Sequence, residues 1–144
     1  MEIVVLPKRA VPGIDTPLSW AMISIATKYD WPEFDEKNCV KATRLSFEDK
    51  DPSAYLLKDD PNNPMKLFTE KQANMVIDFV EEVKDKIEML VVHCEAGISR
   101  SPAVAGAISK VLFGDDSAFF KGPYKPNMHV YRTIIDAAHK RELI

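Results

Sequence analysis

Apolar positions along the chain change period several times, and each change marks an element. Glu2 to Leu6 is an apolar run stopped by Pro7, and it reads as a short strand. Pro7 to Pro17 carries three prolines and a glycine, so it reads as a loop. Ala21 to Ala26 (AMISIA) is a buried strand by length, with a helix as the close alternative. Tyr29 to Asn38 is loop or short helix, and Cys39 to Phe47 alternates as a further strand. Glu48 to Pro64 is then a long acidic loop, of the kind that in a compact domain is usually functional.

The second half switches to helical spacing. Thr69 and Gln72 form a T-x-x-Q capping box, followed by Ala73, Val76, Ile77, Val80, Val83 and Ile87 on one face. Met89 to His93 is a short apolar strand. Pro102 stands where the first turn of a helix tolerates proline, and Ala103, Val104, Ala107, Ile108, Val111 and Leu112 make an apolar stripe that Gly114 can end. Asn127 can cap a last helix carrying Val130, Tyr131, Ile134, Ile135 and Ala138. Strands alternating with helices predict an α/β fold: a single domain over residues 1–144, with a central, mostly parallel sheet flanked by helices.

Composition narrows the function. With 46% hydrophobic residues the chain can bury a core, and a net charge of −3 argues against nucleic acid or an anionic membrane as main partner. The opening MEIVVLPKRA is too short for a signal-peptide core or a membrane span. The two cysteines, Cys39 and Cys94, do not make a disulfide framework, and no Cys/His cluster calls for a metal or other cofactor. A reduced, cytoplasmic setting is expected.

The chemistry concentrates in VVHCEAGISRS, residues 91–101, where a buried strand runs into a short loop and a helix. Ligands of open α/β sheets sit beyond the carboxyl ends of strands, and a helix N-terminus there presents N–H groups to an anion. A loop from Cys94 through Glu95, Ala96, Gly97, Ile98 and Ser99 to Arg100 can turn successive N–H groups inward as a phosphate nest. Gly97 frees the backbone there, and the planar fork of Arg100 can take two phosphate oxygens. The same environment favours a thiolate at Cys94, which makes it a nucleophile aimed at phosphorus.

HCEAGISRS resembles the H-C-x-x-G-x-x-R-[ST] signature of the protein tyrosine phosphatase superfamily, and C-x-A-G-x-S-R-S most resembles its small dual-specificity branch. The order of strands and helices is similar to that fold from about Cys39 to Phe113. The resemblance implies a metal-independent, two-step phosphatase. Cys94 attacks phosphorus to form a phosphocysteine. Arg100 and the loop amides of residues 95–99 bind the phosphoryl oxygens. Ser101 steadies the thiolate as it leaves, and His93 fixes the loop and keeps the thiol ionised. A general acid is implied on the loop after an upstream strand, which points to Asp49 in TRLSFEDKDP, with Asp51, Asp59 and Asp60 as alternatives. Phe47-Glu48-Asp49 also resembles the acid loop of a phosphoinositide phosphatase.

Other roles stay open at this stage. Ser101 reads equally as a helix N-cap, His93 as a packed residue, and Asn127 as a cap or a substrate contact. Cys39 reads as strand core, or as a redox partner for Cys94. The loop interior lacks the lysines of phosphoinositide phosphatases, and Glu95 would repel a polyanion. A phosphorylated protein or peptide is therefore the expected substrate, with phosphoinositide or an RNA 5′ end as alternatives. A phosphate-binding module without turnover and a sulfurtransferase are the readings from other classes. Oligomeric state is not readable from the chain.

Overall fold

The computed structural model describes residues 1–52 and 66–144. Four strands form one parallel sheet: β1 (Glu2–Pro7), β2 (Trp20–Ala26), β3 (Cys39–Ser46) and β4 (Met89–Cys94), in the order β1-β4-β2-β3. Three α-helices follow the chain as α1 (Glu70–Val83), α2 (Arg100–Phe113) and α3 (Met128–Lys140), with 3₁₀ turns at Lys8–Gly13 and Ser117–Phe120. The expected α/β class with a parallel sheet is what the chain adopts.

Every residue of β2 is buried, which explains the unbroken apolar run of a strand covered on both faces. On one face Ala21, Ile23, Ile25, Leu90 and Val92 pack with residues of all three helices. On the other, Trp20, Met22 and Val91 form a smaller cluster with Val11. The flanking is thus unequal. The α-helices share one face, while the 3₁₀ turn, pinned by fully buried Val11, helps cover the other. This turn lies inside the segment whose prolines predict only loop.

The caps act as their sequences predict. Thr69 and Gln72 satisfy each other's backbone N–H groups at the start of α1. Gly114 ends α2 in the left-handed region, at φ 73°. Helix α1 stops at Val83, one turn before the expected Ile87, which is buried in the connection to β4. Residues Arg100 to Ser109 of α2 are all buried, so this helix is enclosed by its neighbours and shows more than one apolar stripe.

Candidate active site

Strand β4 lies between β1 and β2, so its carboxyl end opens at the middle of the sheet rather than at an edge. Cys94 is its last residue and Arg100 the first residue of α2, which leaves five residues to turn the chain. Gly97 takes φ +72° to make that turn. Its Cα faces the end of β1 so closely that an added Cβ would lie 2.9 Å from the Pro7 nitrogen and 3.0 Å from the Leu6 carbonyl carbon. The Lys8 N–H donates to the Glu95 carbonyl at 3.0 Å and holds the loop from the same side.

Two groups meet the sulfur. The Gly97 N–H donates to Cys94 Sγ at 3.3 Å, and Ser101 Oγ lies 3.0 Å away. Cys94 is 3% exposed, while Glu95, Ala96 and Ile98 are exposed around it. Ser101 is not the N-cap: Ser99 holds that position, and Ser101 sits inside the first turn of α2 with its hydroxyl on the sulfur. Ser99 does not cap with its side chain either. Its hydroxyl donates instead to Asp49 Oδ1 at 2.8 Å.

His93 is fully buried. A carbonyl can only accept, so Nδ1 carries the proton in its 3.2 Å contact with the Cys94 carbonyl, and Nε2 accepts from the Ser24 hydroxyl at 2.5 Å. Burial lowers its pKa below the ordinary imidazole value, against the opposing pull of the Cys94 carbonyl. The ring is therefore neutral at pH 7 and brings no positive charge to the thiol. Its contact with the Cys94 carbonyl fixes the backbone at the base of the loop.

Arg100 is buried and anchored through one nitrogen. Nη1 donates to Thr27 Oγ1 at 3.0 Å and to the Phe47 carbonyl at 2.9 Å, and the guanidinium carbon stands 6.0 Å from the Phe47 ring centroid. Both acceptors are neutral, so the full positive charge stays at the head of α2. Asp49 is exposed beyond the end of β3 and is tied to Ser99 and, at 2.9 Å, to Asn127 Nδ2. Asp51 lines a groove with Asp49, Ser99 and Asn127. Asp59 and Asp60 lie outside the described residues.

No family model matches the chain, and no curated protein is similar to it. Solved structures do match. The human tyrosine phosphatase-like serine/threonine/tyrosine-interacting protein is 17% identical, covering 97% of this chain and 93% of its own, with a TM-score of 0.66. Human DUSP28 is 15% identical over 97% of this chain and 93% of its own, with a TM-score of 0.61. PTPMT1, solved in complex with PI(5)P, is 13% identical over 96% and 91%, with a TM-score of 0.58. This chain has the dual-specificity phosphatase fold.

In that fold the nine signature residues occupy the exit of a central strand, and the acid candidate from β3 reaches them across the carboxyl edge of the sheet. Cys39 does not. It pairs in register with Trp20, which pairs with Met89, five residues before Cys94 on a parallel strand. That offset is roughly 16 Å at ~3.3 Å per residue, too far for a disulfide. The redox-partner alternative for Cys39 is thereby removed, and both cysteines are free.

Sequence reasoning missed Ser24, Thr27 and Phe47, the partners of His93 and Arg100. Ser24 carries a signal, being a polar residue in an apolar run, whereas Thr27 and Phe47 do not. Lys8 and Arg9 were also unforeseen; they line a groove with Glu95. Among the described residues no group of three or more His, Cys, Asp or Glu could hold a metal ion, and no helix is long and apolar enough to cross a membrane.

Proposed function

We propose that the chain is a cysteine-dependent phosphomonoester hydrolase and, within that class, a cytoplasmic protein tyrosine phosphatase of the dual-specificity type. The observation that carries this reading is the setting of the Cys94 sulfur. It is buried at the carboxyl end of a central strand, faced by the Gly97 N–H and Ser101 Oγ, with Arg100 opening the helix beside it. A thiol that meets a backbone N–H and a hydroxyl beside a helix N-terminus, with an arginine opening that helix, has the electropositive surroundings of a nucleophile rather than those of a packing residue.

The Cys94 thiolate attacks phosphorus. An S–P bond forms, the ester P–O bond breaks, and the departing oxygen takes the proton of Asp49. Water then attacks the phosphocysteine while Asp49 accepts a proton. The S–P bond breaks, and Ser101 donates toward the sulfur that regains its charge. Arg100 and the loop amides of residues 95–99 hold the three equatorial oxygens, on which charge accumulates. No step calls on a cofactor.

Hydrolysis of an aryl phosphate across pH 5 to 8, with chelator present, tests this reading in the wild type and Cys94→Ser. Turnover that vanishes in the mutant is expected. Turnover that survives would overturn it, and phosphate binding without any wild-type turnover would leave a binding module. A phosphoinositide is the second reading, favoured by Lys8 and Arg9, which supply beside Glu95 the basic groups that the loop interior lacks. Rates on a phosphotyrosine peptide and on a soluble phosphoinositide, measured side by side, separate the two.

A further inference from the structure

Three separate segments converge on Asn127. Its backbone N–H donates to the Ser99 carbonyl at 3.0 Å, and the Lys125 N–H donates to the Ile98 carbonyl at 2.8 Å. The chain entering α3 is thereby laced to the last two residues of the signature loop. The Asn127 side chain is used at both ends. Oδ1 accepts from the Val130 N–H at 3.1 Å and caps α3. Nδ2 donates to Asp49 Oδ1 at 2.9 Å and to the Lys50 carbonyl at 3.0 Å. Asn127 is 6% exposed, whereas Asp49, on a surface segment, is exposed.

A cap alone does not call for asparagine. Asp and Ser cap a helix about equally well, because capping uses only an acceptor. Asparagine adds a two-proton donor to that acceptor, and here both protons go to the segment that carries the acid candidate. Asp49 needs such a tether. A general acid has to sit within roughly 2.6–3.2 Å of the oxygen it protonates, and an exposed carboxyl with free rotation spends little time there.

We propose that Asn127 is a positioning residue for the reaction, holding the Asp49 carboxyl over the loop through Nδ2, with the Ser99 hydroxyl as second donor. The proposal rests on the reading of Asp49 as the general acid. Both donors converge on Oδ1, so Oδ2 is the oxygen that delivers the proton. Because Ser99 belongs to the loop and Asn127 to the head of α3, the acid is registered on the phosphate site itself and not on the strand that delivers it.

The test compares two esters. p-Nitrophenyl phosphate has a leaving group that departs with little help. Phenyl phosphate has one that, like tyrosine with its pKa of about 10, needs a proton. Asn127→Thr and Asn127→Ser both keep an uncharged acceptor for the cap and lose the amide donor, so melting curves close to wild type are expected. For both variants kcat on phenyl phosphate should fall ~10- to 100-fold with KM little moved, and the loss on p-nitrophenyl phosphate should be far smaller. Asp49→Ala should give the same graded pattern more strongly, and adding Asn127→Ser to it should cost nothing further. Equal losses on both esters in the Asn127 variants, or none, beside a graded Asp49→Ala, would overturn the positioning role and leave a cap. An ungraded loss in Asp49→Ala itself would overturn the assignment of the acid and the proposal with it.

Discussion

Replacing Gly97 by alanine puts two separate costs on one atom. The first is conformational: the residue sits at φ +72°, where an L side chain costs roughly 1–2 kcal/mol. The second is steric. The new Cβ would lie 2.9 Å from Pro7 N, 3.0 Å from Leu6 C and 3.2 Å from Leu6 O, all backbone atoms that cannot rotate away. They belong to β1, which is paired in register from Glu2↔Met89 to Pro7↔Cys94. Overpacking of this kind costs about 1–3 kcal/mol, for a total of roughly 2–5 kcal/mol. Against a typical domain stability of ~5–15 kcal/mol the variant should fold, with Tm lowered by roughly 4–20 °C. Gly114→Ala isolates the first cost, because its φ is +73° and an added Cβ meets nothing within 4 Å. Gly13→Ala should carry neither, since its Cβ also meets nothing and its φ is ordinary. Thermal or urea unfolding of the three variants should therefore rank Gly97 well below Gly114, and Gly114 below Gly13. The damage at Gly97 should also reach function, because relief of the clash lifts the loop and moves the N–H that faces Cys94 Sγ. Vanadate affinity is expected to fall at least ~10-fold, equivalent to about 1.4 kcal/mol. A Gly97→Ala protein that matches Gly114→Ala in stability and the wild type in vanadate binding would refute the close approach of loop and strand.

Three further expectations are more compact. His93 is buried with a lowered pKa, so the unfolded chain binds its proton more readily. The stability it contributes is complete above the unfolded value of 6.5 and declines as pH falls below it, by at most about 1.4 kcal/mol per pH unit; urea titrations of wild type and His93→Gln at several pH values should show that slope only in the former. Arg100→Lys removes the planar fork and strands the Thr27 and Phe47 acceptors, so kcat on an aryl phosphate should drop ~100-fold or more, and near-normal turnover would refute the oxyanion role. Ser101→Ala should leave a rapid first turnover and slow the next ones, visible as a burst of phenol in stopped-flow; a slowed burst would place the hydroxyl in the first step instead.

Local pattern carried much of this molecule. The capping box at Thr69 and Gln72, the proline in the first turn of α2 and the glycine at its end each report a backbone state set within a few residues, and each stands where expected. The candidate site was legible for the same reason. Cys94, Gly97, Arg100 and Ser101 are close in sequence, so a strand, a tight turn and a helix suffice to place them together. The ambiguity between cap and sulfur partner at Ser101 was not local. The N-cap fell two residues earlier, at Ser99, and that choice turned the Ser101 hydroxyl inward.

What the sequence by itself determined was the class of fold, the run of its main strands and helices, and a cysteine set between a strand and a helix. Only the tertiary structure decided which distant groups serve them. Strand order put β4 between β1 and β2, which brought Leu6 and Pro7 onto Gly97 and Lys8 and Arg9 beside Glu95. It set the end of β2 and the segment after β3 around Arg100, and it separated Cys39 from Cys94. Asp49 met Ser99 and Asn127 across 50 and 78 residues of chain. Periodicity and capping report neighbours within a turn or a strand. Contacts made by closing long loops depend on which strands pair, and that is a property of the whole sheet.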